Sequence, residues 1–272
     1  MTPRMHLHIL ASGSKGNASV VEGPEGSVLI DDGLSRRELL KRADELGVDM
    51  DRICCVVVTH EHGDHVSGLS VWCNRYEGRL VATAGTAAAR PYLSRLPFEL
   101  VGSSDEFEAG GMRIQTFPTS HDVADPMGLR LSCGEGEDAD AIGFCTDTGV
   151  LGERALELLA GARILALESN HDARMLATGP YPAYLKQRVG GDHGHLSNDQ
   201  AADALRELVG PQTEVVVGMH LSQENNRPSV AVRTLAEAVG AAAVNDTFTE
   251  ARTPDGRLTI CAAGQSRPMS IW

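Results

Sequence analysis

The chain has 272 residues, and its 37 acidic against 24 basic side chains give a formal charge of -13 at pH 7. That length supports a sizeable core without staples, and that charge argues against a generally basic nucleic-acid-binding surface, although divalent metals in a site would add positive charge that a residue count ignores. The opening MTPRMHLHILASGS holds no secretory signal and no run approaches a membrane span, while the six cysteines (Cys54, Cys55, Cys73, Cys133, Cys145, Cys261) show no C-x-x-C pairing, so a soluble cytoplasmic protein with reduced thiols is expected.

In chain order, MHLHIL, SVVEG and SVLIDDG alternate between turns at SGSKGN and GPEG and predict a short antiparallel meander. His6 and His8 fall on the exposed face of its first strand in this reading. Ser35 and Glu38 form a capping-box pattern that opens a helix ending at Gly47. The strand ICCVVV follows, then a helix around 66–75, a strand at RLVAT, a helix at GTAAARPYL and the strand MRIQTFP leading to His121. PMGLRLSC and AIGFCTDTG flank the acidic connection CGEGEDAD, which reads as a solvated loop.

The second half repeats the habit. A helix near 152–160 precedes the strand RILALES, helical segments lie between 172 and 190, and a helix capped by Ser197 and Gln200 runs to Val209. EVVVGM is a strand ending at His220, Pro228 opens a helix through Val239, and TFTEARTPDGRLTI reads as a terminal hairpin. No repeat, linker or shift of composition interrupts the chain. The pattern predicts an α/β fold of two facing mixed β-sheets with outer helices, an αββα sandwich forming a single domain over 1–272.

The coordinating residues share one placement. His60, His62, Asp64 and His65 in THEHGDH follow the strand ICCVVV; His121 follows IQTFPTS, Asp147 follows AIGFCT, and His220 follows EVVVGM. Imidazole and carboxylate are the donors that zinc-like ions take, and ligands at strand ends can gather on one rim of a sheet. A two-metal hydrolytic site needs that convergence.

This ordered set, H-x-H-x-D-H followed by His, Asp and His, resembles the metallo-β-lactamase fold of metal-dependent hydrolases, with LIDDG at 29–33 similar to the family's early Asp motif at Asp31. The resemblance implies that His60, His62 and His121 hold one metal, that Asp64, His65 and His220 hold the other, and that Asp147 bridges them. ASGSKGN at 11–17, ESNHD at 168–172, GPYP at 179–182, GHLSN at 194–198 and HLSQENN at 220–226 are similar to the YycJ (also WalJ or VicX) group, which implies 5'-to-3' DNA exonuclease activity. ESNHD and GHLSN are also similar to motifs of transfer-RNA 3'-processing nucleases and of a cyclic-phosphodiesterase branch. The inserted nucleic-acid clamp of the larger nuclease groups is absent.

The chemistry implied is hydrolysis of a phosphodiester by a metal-activated water, with no Ser or Cys nucleophile. Zn²⁺ suits the histidine-rich ligation, and Mn²⁺ or Fe²⁺ are accepted by mixed His and carboxylate sites. Asp64 counts as catalytic as well as ligating. His195, two residues before a helix cap, is placed to contact phosphate or to protonate the leaving oxygen, or else caps a loop; His171 is either an active-site or a structural histidine. Ser14 and Asn17 in the SGSKGN turn, and Arg37 and Lys41 one helical turn apart, are the candidate substrate contacts. DNA is the expected substrate. A small-molecule hydrolase acting on a cyclic phosphodiester, thioester or lactone is the enzymatic rival, and a non-catalytic metal store is the third reading.

Overall fold

In the computed structural model, which describes residues 5–272, the strands form two mixed sheets, one of seven and one of nine strands. The chain divides into two compact units. The first takes in the described residues up to Pro118 together with Val123–Ala141 and Gln265–Trp272; the second takes in Thr119–Asp122 and Ile142–Gly264.

The first unit begins with the expected meander, β1 (His6–Ala11), β2 (Ala18–Glu22) and β3 (Ser27–Ile30), each antiparallel to the next. From β3 the sheet continues in parallel through β4 (Ile53–Val57), β5 (Arg79–Thr83) and β6 (Glu99–Val101). Helix α1 (Arg36–Leu46) starts where the Ser35 hydroxyl accepts the Glu38 N–H and stops at Gly47 in the left-handed conformation, φ 72°. Its Leu39 and Ala43 join Leu29 and Val56 of the sheet in one apolar core. Burial against the helix explains why β4 reads as a continuous apolar run rather than an alternation. A separate antiparallel ladder joins β7 (Glu106–Ala109), β8 (Met112–Pro118) and β9 (Met127–Cys133).

Three expectations for this unit are corrected. The helix expected around 66–75 is two short helices, α2 (Gly63–Val66) and α3 (Leu69–Cys73), so Asp64 and His65 sit in a first helical turn rather than in a loop. The break falls at Gly68, whose N–H bonds to Asp32 O and where a Cβ would lie 1.9 Å from Leu34 O. The GTAAARPYL helix shrinks to α4 (Ala84–Ala88), since Pro91 cannot continue it. His8 is buried, not exposed. A strand after the supposed terminal hairpin, β16 (Met269–Ile271), pairs with β1 and sets Ser270 Oγ 2.8 Å from His8 Nδ1, while Trp272 packs edge-on to both His6 and His8.

The second unit is built on parallel strands, β10 (Asp140–Cys145, in this unit from Ile142), β11 (Ile164–Glu168), β12 (Val215–Met219) and β15 (Thr259–Ala262). β14 (Glu250–Arg252) completes the hairpin with β15, and β13 (Ala242–Ala243) pairs beyond it. The helices are α5 (Glu153–Leu159), α6 (Ala173–Thr178), α7 (Ala183–Val189), α8 (Asn198–Leu208) and α9 (Pro228–Ala238). Both bonds of the Ser197–Gln200 capping box form, and Pro228 opens α9 at a first-turn position where its missing N–H costs nothing. No helix of the described residues is long and apolar enough to cross a membrane.

Candidate metal centre

In the first unit the parallel register sets Ile30 of β3 beside Val57 of β4. Asp31 and the THEHGDH segment therefore leave the sheet at the same edge, the carboxyl end of parallel strands where ligands collect. Asp31 is buried and acts as a hub: Oδ1 accepts the Thr59 N–H, and Oδ2 accepts the Thr59 hydroxyl at 2.8 Å and the His65 Nδ1–H at 2.7 Å. That bond assigns the proton to Nδ1 and leaves the Nε2 lone pair as the donor, the arrangement that carboxylates impose on metal-binding histidines. The Asn17 amide meets that Nε2 at 2.9 Å and Asp64 Oδ2 at 3.1 Å. The His60 ring centroid lies 5.0 Å from that of His62 and 4.0 Å from that of His65. Four predicted ligands thus gather in this unit. Gly33 permits the packing, because a Cβ there would fall 1.6 Å from Asp64 O. Glu61, between the first two histidines, is buried and accepts the Ala124 N–H at 2.8 Å.

In the second unit Cys145 lies beside Leu167 and Glu168 beside Met219. Asp147, Glu168 and His220 consequently share one sheet edge. His220 Nδ1 and His195 Nδ1 stand 3.6 and 3.8 Å from Asp147 Oδ1, and both meet Glu168 Oε1, at 3.2 and 2.8 Å. Ligand atoms of Asp147, Glu168, His195 and His220 lie within 4.8 Å of one another. His121 joins them, with Nε2 3.8 Å from Asp147 Oδ1 and Nδ1 3.0 Å from Gly194 O. Burial alone would push the Glu168 carboxyl up; the adjacent His195 charge and hydrogen bonds from His195 and His220 outweigh it and hold the group below the usual carboxylate range. The Glu168 side chain is also fixed by the Thr148 N–H at 2.8 Å. Asn170 Nδ2 donates to His220 O.

Backbone conformation marks the same residues. Four non-glycine residues among those described have positive φ, and three are Asp31 (61°), Asp147 (57°) and His220 (53°). Each such residue costs on the order of 1–3 kcal/mol, and such strain clusters at functional sites. The nitrogen and oxygen donors, their burial and their fixed tautomers fit divalent metal ions.

The remaining candidates differ in placement. His171 is buried, with its pKa lowered by burial, and its backbone bridges Ser197 while its side chain stays outside the Asp147–Glu168 group. Ser14 is exposed in its turn. Asn17 is turned inward: its Oδ1 accepts the Gly13 N–H and its amide is spent on Asp64 and His65, so it supports the histidine segment. The basic face of α1 is dispersed. Lys41 pairs with Glu45, Arg42 turns in to Leu10 O and Gln265 O, Arg36 lies over Trp72, and Arg37 is exposed.

Sequence reasoning omitted Asp31, Glu61, Glu168 and Asn170 from the site residues. The signal for Asp31 and Glu168 was an acid at the end of an apolar strand, the same signal that located Asp147. Asn198 and Asn226, from GHLSN and HLSQENN, bond to each other and to Ser169, a buried amide network that secures the loop after Glu168.

Residues 27–221 match the family described as the beta-lactamase superfamily domain. The chain belongs to this superfamily. It is 30% identical over 239 residues to the exodeoxyribonuclease YycJ of Bacillus anthracis, covering 86% of this chain and 89% of that protein. It is 33% identical over 236 residues to the exodeoxyribonuclease WalJ of Streptococcus pneumoniae serotype 2, covering 84% and 85%. Among solved structures, the metallo-β-lactamase fold protein YhfI from Bacillus subtilis matches with a TM-score of 0.69 at 13% identity, covering 99% of this chain and 100% of that one. The two mixed sheets with their helices are the metallo-β-lactamase α/β sandwich fold, and the superfamily member is a metal-dependent hydrolase of the YycJ/WalJ group.

Proposed function

We propose that this hydrolase is a nuclease acting on DNA phosphodiesters, a 5'-to-3' exonuclease, and that residues 1–272 work as a single domain. The observation that carries the reading is the 30–33% identity to two exodeoxyribonucleases over at least 84% of the chain. In this proposal His60, His62 and His121 would hold one divalent ion, Asp64, His65 and His220 would hold a second, and Asp147 would serve both. Zn²⁺ suits the donor set best, with Mn²⁺ or Fe²⁺ as alternatives. Two such ions supply Lewis acidity, lowering the pKa of water and neutralising the anionic diester. The chain's own groups do the rest. Asp31 and Glu168 orient His65 and His220, and Glu168, 2.8 Å from His195 Nδ1, holds that imidazole in position to pass a proton to the leaving oxygen. The six cysteines are all free thiols, which suits a cytoplasmic setting.

The test is a substrate panel for metal-loaded protein: end-labelled single- and double-stranded DNA, RNA, bis(4-nitrophenyl) phosphate and a thioester. The proposal expects mononucleotides released progressively from DNA 5' ends. The acidic charge of -13 favours the small-molecule rival, and that rival takes over if bis(4-nitrophenyl) phosphate or the thioester is hydrolysed while DNA of every form stays intact.

A further inference from the structure

The GPYP segment and the helix after it are not used by the metal centre. Gly179 ends α6, Pro182 caps α7, and no side chain of α7 is buried. Tyr184 on α7 is 73% exposed, more than any other large hydrophobic side chain described. Leu185, Lys186 and Val189 of this helix are half-buried, whereas the Tyr184 ring is left in water.

The charge around it departs from that of the chain. Residues 173–191 contain Arg174, Lys186 and Arg188 and no acid, within a protein of net charge -13. Arg188 pairs with Asp122. Lys186 Nζ donates to the Ala177 carbonyl, and among the described residues neither Lys186 nor Arg174 is paired with a carboxylate. The Lys186 bond to Ala177 O ties α7 to α6 one turn from Arg174, so basic side chains of both helices belong to this stretch between Asp172 and Asp192.

This surface is also fixed to the candidate active site. The carbonyl of Val189, the last residue of α7, accepts the His195 N–H at 2.9 Å, and Gly194 O, on the residue just before His195, is the partner of His121 Nδ1 at 3.0 Å. A Cβ on Gly194 would lie 2.2 Å from Arg188 O and 2.3 Å from Val189 O, so only glycine lets the turn pack this tightly. Tyr184 stands five residues before Val189, about 7.5 Å along the helix axis. Helix α7 therefore joins the Tyr184 position directly to the turn that holds His195.

From this we infer that α6 and α7 form a strand-holding platform, on which Tyr184 stacks against a base of single-stranded DNA while Arg174 and Lys186 neutralise its phosphates. The inference rests on the nuclease reading and gives it a grip. Stacking needs only a π-face and backbone neutralisation only charge, so the platform holds DNA without reading its sequence.

The experiment measures binding of a labelled, fully phosphorothioate single-stranded oligonucleotide to metal-loaded protein, beside turnover of ordinary DNA and of bis(4-nitrophenyl) phosphate. Tyr184→Ala should raise the oligonucleotide Kd by about 5- to 100-fold, the range of base stacking on an aromatic side chain. The ratio of kcat/KM for DNA to that for the small diester should fall in parallel. Tyr184→Phe keeps the π-face and should restore both. Replacing Arg174 and Lys186 together by Ala should reduce the log–log salt slope of binding by about 1.4, or 0.7 per lost phosphate contact on a single strand. If wild-type protein binds and degrades DNA but Tyr184→Ala leaves Kd and the turnover ratio unchanged, the platform is wrong and the nuclease reading stands. If wild-type protein neither binds nor degrades DNA, the nuclease reading fails and takes this inference with it.

Discussion

Asp32→Asn should change how the stability of this protein depends on pH. The Asp32 side chain is completely buried, and a Cβ on neighbouring Gly68 would lie 2.5 Å from its Oδ1. Burial, the largest influence, raises its pKa from 3.8 to about 7; the Asp31 charge adds to this, and the Leu34 N–H and the Arg36 charge oppose it. Between those two values the folded protein holds a proton that the unfolded chain has released, so stability from this group is present at low pH and is lost as pH rises towards 7. A shift from 3.8 to about 7 amounts to about 4 kcal/mol at 1.36 kcal/mol per pKa unit. Asn cannot titrate, and the cost of burying its amide is the same at every pH. Urea unfolding of both proteins in chelator should show wild type losing about 3 kcal/mol relative to the variant between about pH 4.5 and about pH 8. Parallel stability curves would refute the reasoning, because they would mean that Asp32 ionises as freely when folded as when unfolded.

Three further outcomes are expected. Elemental analysis of protein prepared without chelator should approach two transition-metal ions per chain, about the count of a dinuclear site, and Asp147→Ala should lower it; a stoichiometry of zero under metal-replete conditions would remove the metal assignment. His195→Ala should keep metal content near wild type while cutting turnover by roughly 10²-fold or more, the scale of general acid–base catalysis, and loss of metal would instead make His195 a ligand. Gly33→Ala should lower both thermal stability and metal content, since its methyl group would overlap Asp64 O, and a variant with wild-type melting and metal content would show that the turn relaxes at no cost.

Local features of the chain were readable because they are written at short range. The Ser197 capping box, the left-handed Gly47 and the apolar run into THEHGDH each depend on residues a few positions apart and form as expected, whereas at Ser35 only the hydroxyl half of the box forms and Glu38 pairs with Arg42 instead. An acid or histidine at the end of an apolar run is visible without knowing which strands are neighbours, which singled out Asp147 and His220, although Asp31 and Glu168 carry the same signal and were passed over. What the sequence left open depended on pairing. His8 alternates with its neighbours as an exposed strand residue would, yet Ser270 and Trp272, more than 260 positions away, cover it. Arg36, Arg37, Lys41 and Arg42 read in sequence as one basic patch, but only the folded chain sends Arg42 inward to Gln265 O and sets Lys41 against Glu45. Glu168 looked like one more polar residue until the parallel register of β11 and β12 set it beside Met219, where His195 and His220 both reach its carboxylate. The sequence by itself determined the short-range caps and the placing of acids and histidines at the ends of apolar runs; tertiary structure decided which carboxylate fixes which imidazole, because strand register and long-range hydrogen bonds are set by packing between segments that no short window of sequence contains.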